Sequence, residues 1–151
     1  QTLEQGGTLI TGGERPKEIN QGWYYKPTII ACDQHNLPTA EHELFGPILS
    51  VMKFSGEDEA IKLMNDNSYG LAAGVFSENN GTALRVSKAV RAGIVFVNTY
   101  RLISPIAPFG GFKNSGFGRE SGMEVIKDYS NVKTIWINTS NEPIGDPFVI
   151  R

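Results

Sequence analysis

The chain has one cysteine, Cys32, and a lone cysteine closes no internal disulfide, which fits a reducing compartment. It has no cluster of one charge sign: 14 Lys and Arg stand against 16 Asp and Glu, a formal net charge of -2. Surfaces that bind nucleic acid or anionic membranes need a concentrated excess of Lys and Arg, so neither partner is expected. No apolar run approaches the roughly 20 residues that span a bilayer, and the start, Gln1 to Gly7, lacks the basic and apolar regions of a signal peptide. The expectation is a soluble, cytoplasmic protein without membrane contact. There is no internal repeat and no low-complexity tract, and no metal-ligating set is assigned. No methionine precedes Gln1, so the chain reads as a fragment or truncated form.

What is present is one domain's worth of ordinary globular chain, 151 residues with 40% hydrophobic and 20% charged content. Thr8 to Thr11 and Thr28 to Ala31 are strand-like runs, and residues 48–54 alternate as a third strand. Ser55, with Asp58 three residues on, predicts a capped helix start, with Ala60, Leu63 and Met64 on one face and an end at residues 67–70. Residues 72–76 are small and apolar enough for a strand buried on both faces. Ala83, Val86 and Val90 stripe a helix over residues 82–90, and Ile94 to Val97 makes another buried strand. Strands separated by helices of this length imply crossover connections and a mainly parallel sheet, hence an α/β fold. Residues 122–129 read as helical, residues 132–138 as a strand, and residues 139–151, with Pro143, Gly145 and Pro147, as an extended tail.

Three strings carry more specific information. Residues 108–120, Pro-Phe-Gly-Gly-Phe-Lys-Asn-Ser-Gly-Phe-Gly-Arg-Glu, hold four glycines where no helix or strand would tolerate them, which implies an irregular loop held in shape. Upstream lie Glu41-His42-Glu43-Leu44-Phe45-Gly46-Pro47 and the turn-rich run from Asn65 to Ser77. In this order the three strings resemble the aldehyde dehydrogenase superfamily, over residues 12–138. The resemblance implies a three-layer αβα fold with a mainly parallel sheet. Residues 1–130 would be the C-terminal part of the catalytic domain, and residues 131–151 an oligomerisation strand and tail.

It further implies an NAD- or NADP-dependent enzyme that oxidises an aldehyde to a carboxylic acid through a cysteine thioester. Cys32 is not read as that nucleophile. Its setting, Ile29-Ile30-Ala31-Cys32-Asp33-Gln34, lacks the family's nucleophile motif, and an apolar strand precedes it, so a structural role is expected. On this reading the nucleophile, the oxyanion-hole asparagine, the general-base glutamate and the dinucleotide-binding half are absent from the chain. No catalytic residue is assigned.

By the same resemblance Glu43 holds the nicotinamide ribose, a task for which two carboxylate oxygens are suited as hydroxyl acceptors. A hydrogen bond to a charged group contributes about 1.5–3 kcal/mol. Taken alone, Glu43 also fits a solvated glutamate beside the Gly46-Pro47 turn. Phe45 would wall the nicotinamide ring, although a core role suits it too. His42 is expected at the surface, and Glu41 would share a face with Glu43 if the segment is extended. Asn98, Ile103 and Phe109 match the loop that carries part of the aldehyde tunnel, Asn98 standing beyond the carboxyl end of a strand where α/β sites gather. Arg101 fits an acidic substrate, but a guanidinium in a loop is more often a surface or structural partner. Gly110, Gly111, Gly116 and Gly118 shape their loop without holding a phosphate, and Lys113, Arg119 and Glu120 brace it. Residues 132–138, from Val132 through Asn138, are expected to add to a sheet of a neighbouring subunit in a homo-oligomer.

A non-catalytic folding or interaction module with the same architecture is the competing reading. The coding sequence upstream of Gln1 discriminates the two: a Gln-x-Cys segment and a glycine-rich cofactor region favour the enzyme, an initiator codon the module.

Overall fold

A computed structural model describes residues 1–142 together with Gly145, Asp146 and Phe148. The other residues of the expected tail, Pro143 and Pro147 among them, lie outside the described residues.

Five strands form two small sheets. In the first, β1 (Thr8–Thr11) pairs antiparallel with β2 (Thr28–Ala31), and β2 pairs parallel with β3 (Ile48–Val51). In the second, β4 (Ala72–Val75) and β5 (Ile94–Val97) run parallel. The class is α/β, but the single mainly parallel sheet expected from the spacing is here two sheets, one of them mixed. The antiparallel pair has a local cause: residues 12–27 carry no helix to make a crossover, so the chain simply returns.

Helix α1 (Pro38–Glu41) follows β2, with Pro38 in its first turn, where a missing N–H costs nothing. Helix α2 (Glu57–Asn65) is capped at Gly56, one residue after the predicted cap Ser55, and by no side chain. Glu59 reaches back to accept the Ser55 N–H at 2.5 Å, and Glu57, Asp58 and Glu59 put negative charge on the helix N-terminus. Helix α3 (Asn80–Ala89) is capped by Asn79, whose Oδ1 accepts from the Thr82 N–H at 3.0 Å. Together β4, α3 and β5 form one parallel strand-helix-strand unit. A short helix α4 (Val125–Asp128) replaces the longer one read over residues 122–129.

The core is in two parts. Val75, Ala83, Val86 and Val90 are buried against Ile61, Met64 and Val95, joining α2 and α3 to the second sheet. Ile30, Cys32 and Leu37 are buried against Ala40, Ile48 and Met52 beside the first. Full burial of a valine or leucine contributes about 1.5–3 kcal/mol, and the stripe read on α3 is this buried face. β4 departs from expectation: Ala72 and Gly74 are exposed, so only one of its faces is covered. Large apolar side chains remain outside, with Trp23, Phe117 and Trp136 almost fully exposed. Residues 132–138 form no strand among the described residues, and Val132, Ile135, Trp136 and Ile137 are all exposed. No helix among the described residues is long and apolar enough to cross a membrane.

Candidate functional site

Glu43 and Phe45 lie in the link between α1 and β3. Helix α1 ends where the His42 N–H donates to the Pro38 carbonyl at 2.9 Å, and Glu41 is its last residue. Glu41 and Glu43 therefore do not share a face of one extended segment, as an alternating reading required. The link closes on β2 and β3, with the Thr28 N–H donating to Pro47 and the Ile48 N–H to Gly46, both at 2.8 Å.

Between these anchors Phe45 has a left-handed backbone, φ 51°, and its side chain is 95% exposed. A bulky residue in that region costs on the order of 1–3 kcal/mol and is held only by its surroundings. Glu43 is exposed and makes no hydrogen bond or ion pair among the described residues. Its carboxylate is thus an acceptor with open lone pairs, two residues before the exposed Phe45 ring. Glu41, His42 and Glu43 border a cleft of about 410 Å³ shared with Tyr69, Arg91 and Ser115.

The glycine-rich loop reaches this cleft through Ser115. Phe109 and Glu120 exchange backbone hydrogen bonds at 2.7 and 2.6 Å, which makes a neck for the residues between them. Inside the neck Lys113, at φ 54°, donates its ammonium to the carbonyls of Asn65 at 2.8 Å and Asn67 at 3.0 Å. These are carbonyls at the C-terminal end of α2, where a cation is favoured. Arg119 donates Nη1 to Gly111 and Gly118 and lies 4.9 Å from the centre of the Phe112 ring. Glu120 braces the loop through its backbone. Ser115 Oγ accepts from the Gly70 N–H at 3.0 Å, and the Gly70 carbonyl accepts from both Gly93 and Phe112. Phe109 opens on a second cleft of about 580 Å³ with Phe117 and Tyr129, and Ser115 and Leu71 border both clefts.

Asn98 follows β5 directly, and its amide meets one partner twice: Oδ1 accepts from the Ser77 N–H at 2.8 Å and Nδ2 donates to the Ser77 carbonyl at 2.9 Å. Ile103 is 64% exposed and borders neither of these clefts. Cys32 is 2% exposed, and its thiol sits 3.8 Å from Thr39 Oγ1. The sequence reading passed over Asn65, Asn67 and Ser115. Asn65 accepts from Arg91 N–H and donates to the Ala89 carbonyl, tying the ends of α2 and α3, and the only local signal was a turn-type composition.

Comparison with known proteins adds to this geometry. The family model described as the aldehyde dehydrogenase family matches residues 1–135. Over 151 residues the chain is 50% identical to a (Z)-2-((N-methylformamido)methylene)-5-hydroxybutyrolactone dehydrogenase of Acinetobacter baylyi, covering 99% of this chain and 30% of that protein. A putative aldehyde dehydrogenase from Burkholderia cenocepacia superposes with a TM-score of 0.89 at 35% identity, over 96% of this chain and 30% of its own. A betaine aldehyde dehydrogenase from Staphylococcus aureus, solved with NAD+, superposes with a TM-score of 0.80 at 37% identity, over 85% of this chain and 26% of its own. The chain thus spans under a third of the length of these relatives.

Proposed function

The chain belongs to the aldehyde dehydrogenase family, and we propose that within a whole enzyme it serves the NAD-dependent oxidation of an aldehyde to a carboxylic acid. The cysteine nucleophile, the general base and the dinucleotide-binding half would come from the rest of that enzyme, since the relatives are about three times as long. Phe45 carries this reading: its ring is almost fully exposed on a left-handed backbone, two residues from a carboxylate that makes no hydrogen bond or ion pair among the described residues. Glu43 and Phe45 fit the nicotinamide riboside, one offering oxygens to ribose hydroxyls and the other an apolar wall. When bound there, the cofactor would accept a hydride. Ile103 and Phe109 would line the path of the aldehyde and exclude water from it, and Asn98 stands at the head of their loop.

The two sheets would join strands of the rest of the enzyme in a three-layer αβα domain reaching to about residue 130. The unpaired edges of β3 and β4 among the described residues support this. Residues 131–151 would form the oligomerisation strand and tail, for which exposed Val132, Ile135 and Trp136 speak. We place the enzyme in the cytoplasm, in keeping with one buried, free cysteine.

The test is Glu43→Gln in the whole enzyme. The amide is isosteric but loses the charge, and misplacing one of a reacting pair costs on the order of a hundredfold. Single-turnover hydride transfer is expected to slow toward that extent at unchanged thermal stability. Unchanged transfer and cofactor affinity would return Glu43 to a solvated surface role.

A further inference from the structure

Asn98 has a left-handed backbone, φ 51°, immediately after the last rung of the β4–β5 ladder, where its N–H donates to the Val75 carbonyl at 2.9 Å. Asparagine is among the few residues with a side chain that enter this region readily. Two residues beyond Val75, the Ser77 peptide offers one N–H and one carbonyl, and the Asn98 amide meets both, at 2.8 and 2.9 Å. The side chain thereby supplies the next rung of the ladder while the backbone turns away. The loop that leaves here is held at its other end by the Phe109–Glu120 bridge, and on the way the Gly122 N–H donates to the Pro105 carbonyl at 3.1 Å.

We infer that Asn98 is a positioning residue for substrate selection: by clamping Ser77 it sets where residues 99–108, and Ile103 among them, stand beside the aldehyde path, without touching the aldehyde. The inference rests on the functional reading above and changes the role of Asn98 within it. Oδ1 and one Nδ2 hydrogen are committed to Ser77, which fixes the plane of the amide, and Asn98 borders neither cleft. Its effect reaches the substrate through the loop, so long or branched aldehydes that contact Ile103 feel it and short ones do not.

The experiment compares Asn98→Gly and Asn98→Asp with the unsubstituted whole enzyme. Glycine keeps the backbone conformation free of strain and removes both hydrogen bonds. Aspartate keeps the acceptor and turns a second oxygen toward the Ser77 carbonyl. Amide exchange of residues 99–104, measured without substrate, is expected to rise about ten- to hundredfold in the glycine variant, two modest hydrogen bonds being lost. KM for an aldehyde of eight or more carbons should rise about tenfold, with KM for a two-carbon aldehyde and both kcat values within about threefold. Aspartate should fail to restore either quantity, because the donor arm is missing.

Unchanged exchange overturns the clamp whatever reaction the enzyme catalyses. Faster exchange with an equal loss of kcat on both aldehydes overturns the positioning role in favour of direct substrate contact. An unsubstituted enzyme that oxidises no aldehyde overturns the functional reading, and the substrate half of this inference with it, while the exchange rates still judge the clamp.

Discussion

The carbonyl oxygen of Gly110 occupies the space in which a Cβ on Gly93 would stand, with Gly110 C and Gly111 Cα close behind it. Backbone meets backbone there, so no side-chain rotation can make room. Gly93→Ala is expected to push the glycine-rich loop off the start of β5. Overpacking of this kind costs about 1–3 kcal/mol and more where the neighbour is rigid. Denaturant unfolding of the whole enzyme would measure it, and a variant as stable as the parent would mean that the loop docks elsewhere.

Arg85 grips Glu57 through two hydrogen bonds, Nε to Oε1 at 2.8 Å and Nη2 to Oε2 at 2.6 Å, and so links α2 to α3. The hydrogen bond from Arg85, assisted by its charge, holds the Glu57 carboxyl below its ordinary value of 4.5. A carboxyl depressed in the folded state contributes stability above its unfolded pKa, and that contribution fades as pH falls through the folded value. Glu57→Gln should therefore lower thermal stability near neutral pH and flatten its decline below about pH 4.5. Added salt should shrink the neutral-pH difference, since the guanidinium is exposed. Parallel stability curves for the two proteins across the acid limb would contradict the link.

Cys32→Ser should leave aldehyde turnover of the whole enzyme nearly unchanged. The thiol is enclosed with Ile30 and Leu37 and no substrate can reach it. The cost should appear in stability, because a hydroxyl in an apolar setting costs about 1–3 kcal/mol unless it finds a partner, and Thr39 and the Ile30 carbonyl are the candidates at hand. Turnover lost beyond what the stability change explains would reopen a catalytic role.

Ile135→Lys should shift the whole enzyme toward smaller assemblies in sedimentation, with little change in the fold of the subunit. The side chain is 68% exposed and lies in no strand ladder among the described residues. A charge in an intersubunit ladder disfavours its pairing. An unchanged assembly would place the subunit contacts elsewhere.

The strand-helix-strand unit was the most legible part of the fold. Its strands are apolar runs and its helix carries a clean stripe, Ala83, Val86 and Val90, so short-range periodicity reports the burial directly. Helix α1 was illegible because four residues carry no period. The direction of β1 depends on what its connection lacks, which strand composition does not encode. Burial of β4 on both faces was read from small apolar residues, but Ala72 and Gly74 are bare in this chain.

The candidate site divides in the same way. Glu43 and Phe45 stand out in a short string, and their exposure and backbone strain are visible only in three dimensions. Asn98 was legible as a residue at a strand end. Its use on Ser77, 21 residues away, was not, because side-chain pairing at that separation leaves no mark on local sequence. The same holds for Lys113, whose partners Asn65 and Asn67 lie 48 and 46 residues back.

The single carbonyl of Gly70, shared by the amides of Gly93 and Phe112, has a consequence for how this part of the chain opens. One oxygen serves two donors from distant segments through its two lone pairs, so a movement of the Gly70 turn itself loosens both. An opening of that turn exposes the Gly93 and Phe112 amides to solvent exchange together.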